Sequence, residues 1–123
     1  FSVDESILYI ADTGASHQAD GPKHIRAMTV CDDGKNLSDS RIFAECDNGF
    51  FDGFRVDTQD RIWTSAADGV HCYTSQGQLI GKIHIPEMVA NVTFGGVKRN
   101  RLFICGTTSL YSVYLTVKGC KLG

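Results

Sequence analysis

The stretch VDTQDRIWTSA, Val56 to Ala66, carries a pattern that the chain uses three times. An apolar strand end leads through a charged turn into a strand whose second residue is aromatic. FSVDESILYIAD begins at Phe1 and FGGVKRNRLFICG at Phe94, and the aromatic position falls on Tyr9, Trp63 and Phe103 in turn. The starts at 1, 56 and 94 leave intervals of 55 and 38 residues. Such intervals suit a unit of four strands, as in the blade of a propeller. The first interval is longer because it holds the loop TGASHQADGPKH, Thr13 to His24.

Working outward, helical periodicity is nearly absent and short β-rich runs alternate with turn residues. Strands are expected at Leu8–Asp12, Ile25–Cys31, Arg41–Glu45, Phe54–Asp57, Ile62–Ala66, Val70–Thr74, Leu79–Ile85, Val92–Phe94, Leu102–Gly106 and Leu110–Leu115. DDGKN (Asp32–Asn36) and SQGQ (Ser75–Gln78) place glycine where a hairpin wants positive φ. The fold class is therefore all-β. A blade buries both faces only against neighbours, and a closed ring needs at least about four blades. With about two and a half units, residues 1–123 read as one partial propeller domain, the C-terminal part of a larger ring whose first blades lie upstream.

Bulk properties narrow the function. Of 123 residues, 42% are hydrophobic and 21% charged, which is globular composition. The net charge of −2, with no basic cluster, argues against a nucleic-acid partner. No apolar run approaches the roughly 18 residues of a membrane helix, so no membrane partner is expected either. Cys31, Cys46, Cys72, Cys105 and Cys120 form no C-x-x-C pair, which speaks against a cysteine zinc site or a thioredoxin-like motif. Cys72 and Cys105 lie in strand-like runs and read as buried free thiols. A reducing compartment such as the cytoplasm is the reading this favours. The chain opens at Phe1 in mid-pattern, so targeting is unassigned.

Asp52 is the puzzle among the candidates. It stands in FFDGF, an acid among phenylalanines at the entry of an expected strand. Taken alone, Asp52-Gly53 fits a turn as well as it fits a ligand. Four segments then bear on the choice: FSVDESILYIADTG, FFDGFRVDTQDRIWTSAADGVHCY, IPEMVANVTFGG and RLFICGTTSLYSVYL. They closely resemble the gluconolactonase branch of the senescence marker protein/gluconolactonase family, to which regucalcin and the luciferin-regenerating enzymes also belong. The resemblance implies a six-bladed β-propeller that holds a divalent cation near its axis, calcium ahead of zinc. It also implies hydrolysis of sugar-acid lactones, with a small-molecule lactone as partner. The family's P-D-G motif is Phe51-Asp52-Gly53 here, which makes Asp52 the implied metal ligand and catalytic base. The other family ligands, a glutamate and the asparagine of an N-G-L motif, would lie upstream of Phe1. Independent chemistry agrees in kind: inner strands converge on an axis, and a hard cation favours oxygen donors.

Asn91, in VANVTFGG, starts the next inner strand at the position expected to match Asp52, and is a candidate for the substrate. His17, in the Thr13–His24 loop, is a second substrate candidate at the pocket rim; a solvated loop histidine is its plainer reading. Asp12 suits an Asx turn. His71 and His84 alternate with apolar neighbours and suit a surface or interblade position. No G-x-S-x-G elbow is present. Two other functions remain open on this reading: an ester or organophosphate hydrolase on the same scaffold, and a non-catalytic calcium-binding propeller.

Overall fold

The computed structural model describes residues 1–121. Ten strands form three antiparallel sheets in chain order. The first holds β1 (Ile7–Asp12), β2 (His24–Cys31) and β3 (Asn36–Glu45). The second holds β4 (Phe54–Val56), β5 (Ile62–Ala66), β6 (Gly69–Tyr73) and β7 (Leu79–His84). The third holds β8 (Val89–Gly95), β9 (Arg101–Gly106) and β10 (Leu110–Tyr114). Each sheet is a meander, as expected of a propeller blade. Tyr9, Trp63 and Phe103 sit at the same place in β1, β5 and β9, so the sequence repeat is a structural one.

Two apolar clusters join the sheets. One fills the space between the first and second sheets with Tyr9, Ile25, Phe43, Phe51, Ile62 and Tyr73 among others. The other joins the second and third with Val70, Val89, Val92, Leu102 and Ile104, and Trp63 packs edge-on against Phe94 at its border. The second sheet is therefore covered on both faces. Alternation along β5 and β6 accomplishes this: Ile62 and Tyr73 point one way, Trp63 and Val70 the other.

Turn chemistry follows the sequence. Gly34 and Gly77 both take positive φ, +84° and +83°. Two strands start several residues before the expected position. β3 starts at Asn36 instead of Arg41, because the polar run NLSDS pairs with Thr29–Cys31 beyond a register shift and stays exposed. β8 starts at Val89 instead of Val92, with a similar irregularity between Val89 and Asn91.

After β10 the chain returns to the second sheet. Asp57 and Gly119 form an isolated antiparallel bridge. Thr58 N–H donates to Lys118 O and Cys120 N–H to Val56 O, both at 2.9 Å. Arg99 Nη2 donates to the carbonyl of Cys120. This tail extends hydrogen bonding past the exit end of β4.

Candidate functional site

The loop from Cys46 to Phe51 leads from β3 into β4. Phe51 is fully buried and Asp52 is exposed, as expected of successive residues in extended chain. The backbone around Asp52 is held on two sides. Asp52 N–H donates to Ser65 Oγ at 3.0 Å. Gly53 N–H donates to Ala90 O at 2.9 Å, and Gly53 O accepts from Ser65 N–H at 3.0 Å. The entry of β4 is thus bonded both to its own sheet and to β8 of the next one.

Gly53 brings the two inner strands into contact. A Cβ there would lie 2.8 Å from Asn91 Cα and would overlap the Asn91 amide. Asn91 therefore packs directly against the residue after Asp52. Its Oδ1 accepts from Val92 N–H at 2.9 Å, and the residue is exposed. The structure corrects one point of position. Asn91 is paired with Cys105, and the β4–β5 register continued by one residue pairs Gly53 with Ser65. Since Ser65 and Cys105 match in the repeat, Asn91 is the counterpart of Gly53, not of Asp52. The irregular register at Ala90 is what brings it to the site.

The side-chain carboxylate of Asp52 accepts no hydrogen bond from the described residues, and no group of three His, Cys, Asp or Glu side chains suited to a metal occurs among them. A solvent-facing carboxylate fits a hard cation in kind. It falls short in number, since calcium takes about six to eight oxygens. The described residues can contribute to such a site but do not complete one.

The other candidates lie apart from this pair. His17 is exposed after the 3-10 turn Gly14–Ser16, held by its N–H to Gly14 O at 2.9 Å. Nothing in its bonding ties it to Asp52 or Asn91. Asp12 makes no turn cap; it stands opposite His24 in the β1–β2 register, with Oδ2 3.5 Å from Nε2. That nitrogen is buried and makes no hydrogen bond, so the pair is loosely aimed. A cavity of about 500 Å³ is lined by Phe1, Val3, Phe54, Val56, Phe94 and Arg99 among others, and neither Asp52 nor Asn91 reaches it.

Two polar arrangements, each built on one fully buried residue, were not foreseen in the sequence. Asp57, fully buried, accepts from Gln59 N, Arg61 N, Arg61 Nε and Trp63 Nε1 at 2.8, 3.1, 2.8 and 2.9 Å. It organises the turn from β4 into β5. His71 is interblade, as alternation allowed, while His84 is exposed. His71 Nε2 lies 2.6 Å from Asp68 Oδ1, and Nδ1 lies 3.5 Å from Tyr73 Oη and 3.8 Å from Asp47 Oδ1. Lys82 Nζ donates to both Asp47 oxygens at 3.0 and 2.9 Å and to Asp68 Oδ2 at 3.2 Å. Burial raises the Asp68 pKa, but the hydrogen bonds from His71 and Lys82 outweigh it and hold the carboxyl at about 2. The hydrogen bond to Asp47 does most to raise Lys82 above its ordinary value. The sequence offers a local signal for the Asp68–His71 pair, three residues apart across a tight turn. It offers none for Asp47 and Lys82.

All five cysteines are free. Cys46 and Cys72 are buried, and burial pushes the Cys72 thiol up to about 11. Cys105 departs from expectation and is exposed, on the face of β9 opposite Leu102 and Ile104. Among the described residues no helix is long and apolar enough to cross a membrane.

Comparisons with known proteins agree with this architecture. A gluconolactonase of Xanthomonas campestris is 35% identical with a TM-score of 0.78, over 97% of this chain and 36% of its own. A structural-genomics target classed with the gluconolactonases is 28% identical with a TM-score of 0.83, over 94% of this chain and 37% of its own. Regucalcin of Agrobacterium tumefaciens, described as a calcium-binding protein, shares the fold at 18% identity and a TM-score of 0.72, over 98% of this chain and 45% of its own. The chain thus spans a little over a third of the two gluconolactonase-like structures, and its sheets correspond to part of a propeller. No curated protein is significantly similar to it in sequence. The pattern of the SMP-30/gluconolactonase/LRE-like region runs through residues 1–108, and the chain belongs to that family.

Proposed function

We propose that the protein hydrolyses a sugar-acid lactone, with Asp52 as the working carboxylate and as one ligand of a divalent cation, calcium ahead of zinc. Residues 1–123 then form one partial domain, about two and a half blades of a six-bladed ring. The observation that supports this reading is the place of Asp52, an exposed carboxylate at the entry of β4 beside the close contact of Gly53 with Asn91. An unpaired carboxylate and an exposed asparagine stand at the entries of adjacent inner strands, in a chain of this family. A bound cation would supply electrophilic polarisation of the lactone carbonyl. The chain's own groups would do the rest. The Asp52 carboxylate takes the proton from the attacking water. The Asn91 NH₂ donates to a ring hydroxyl and orients the lactone. His17 contributes at the rim from its exposed loop. The partner is a small molecule, not a nucleic acid or a membrane.

The test is a panel of sugar lactones offered to the full-length protein and to Asp52→Asn, with calcium or zinc supplied. Turnover should fall by about 100-fold or more, the usual contribution of a positioned base. Unchanged turnover in the variant would remove Asp52 from the mechanism. Phosphotriester hydrolysis without lactone hydrolysis would mean a different hydrolase, and calcium binding without either reaction would mean a binding protein.

A further inference from the structure

We propose that His71 is a positioning residue for Asp52, acting through the ring of Phe51; the catalytic half of this inference rests on the lactonase reading above. Phe51 is the fully buried neighbour of Asp52, and its ring meets His71 edge-on at 6.3 Å and 86°, and Tyr73 at 5.7 Å and 86°. One peptide bond separates that anchored ring from the carboxylate. Phe51 therefore anchors the chain on the near side of Asp52, as Ser65 and Ala90 anchor it at Asp52 and Gly53.

A buried imidazole is an expensive surface for a phenylalanine to lean on. An aliphatic side chain would pack there without desolvating a polar ring. What the imidazole adds is a fixed plane. Nε2 is held 2.6 Å from Asp68, whose other oxygen is held by Lys82. Lys82 also grips Asp47, at the start of the loop that ends in Phe51. The loop is thus fastened at two places to β6 and β7 by one connected network. Asn48 O, accepting from Ala67 N–H at 3.0 Å, adds a third tie between them. Networks of this kind fix one geometry where apolar contacts would allow several. A catalytic carboxylate needs such support, because its placement matters to about half an ångström.

A staple that merely joins two sheets would give a different pattern of effects, which the test separates. Hydrogen exchange at single amides is measured in the full-length protein, in His71→Leu and in His71→Gln, whose amide reproduces the bond to Asp68. The Asp52 and Gly53 amides should exchange about tenfold faster in His71→Leu, while those of Ile62 and Val70 keep their protection. The glutamine should restore most of the difference. Lys82→Met, which releases Asp47 and Asp68 and leaves His71 in place, should loosen the same two amides to a smaller degree. On the lactone reading, kcat should fall with them and KM should hold. Unchanged exchange at Asp52 and Gly53 would overturn the proposal. So would an equal loss across the whole sheet, or unfolding of His71→Leu, since both describe a structural role alone. If the wild type turns over no lactone, the functional reading fails while the exchange result still decides the role of His71.

Discussion

At the scale of single residues, Asp57, fully buried, and Asp68, half-buried, show two ways of holding a carboxylate in the fold. Asp57 is satisfied entirely by its own turn and by Trp63, so Asp57→Ala leaves the indole N–H and the Arg61 guanidinium without their acceptor. Removing one partner of a buried pair costs about 3–5 kcal/mol, and urea unfolding should show a loss of that order. Asp68 acts through its depressed pKa. A carboxyl held at about 2 in the fold, against 3.8 unperturbed, stabilises the protein above pH 3.8 and loses that contribution as the pH falls toward 2. The stability gap between wild type and Asp68→Asn should therefore be full at pH 6 and narrow steadily toward pH 2. A gap independent of pH would show that the ionised form is not what matters. Asp52 could be picked out in the sequence because an acid stands out among phenylalanines and because it matches the motif of the family it resembles; its exposure means that the carboxylate is not buried among them. Asp57 could not, since VDTQDR looks like any polar turn until the indole is seen to close on it.

Among elements, the contact of β4 with β8 decides the candidate site. Gly53→Ala would set a methyl against Asn91 Cα, a backbone-borne atom that cannot swing away. Overpacking of this kind costs about 1–3 kcal/mol. The strands should part and any activity should drop. Asn91→Ala in the same protein should relieve the clash with the amide but not the one with Cα, so stability should return only in part; complete recovery would show that the amide alone sets the spacing. Strand positions were largely legible, because alternation and turn glycines are local signals. The misses share a cause. Asn36–Ser40 and Val89–Asn91 are strand by virtue of partners across register irregularities, and their own composition does not announce it. The same irregularity moved Asn91 from the expected counterpart of Asp52 to that of Gly53.

For the molecule as a whole, the uncovered faces matter most. The second sheet has neighbours on both sides, whereas Ile10 and Ile42 on the first sheet and Leu110 and Tyr114 on the third remain open to solvent. Surfaces of this sort drive association. The 123-residue chain by itself should self-associate, with light scattering that rises with concentration, and should hydrolyse no gluconolactone in calcium or zinc. A dispersed monomer with metal-dependent turnover would mean that the site is built from residues other than those named. The number of sheets, their order and their likeness to propeller blades were readable from the repeat. The charge network between the Cys46–Phe51 loop and the second sheet was not, because Asp47 and Lys82 are far apart in sequence and only the fold brings them together.

The tail that returns to β4 has a consequence in time. Residues 118–120 close on Val56–Thr58 across half the chain, and contacts that close long loops carry a high entropic cost and form late. Interactions absent from the folding transition state govern how long a fold lasts more than how fast it arrives. The segment should therefore act as a latch on the lifetime of the strand that follows Asp52: removing it should speed unfolding more than it slows folding, and the site's persistence then depends on a part of the chain that is synthesised long after it.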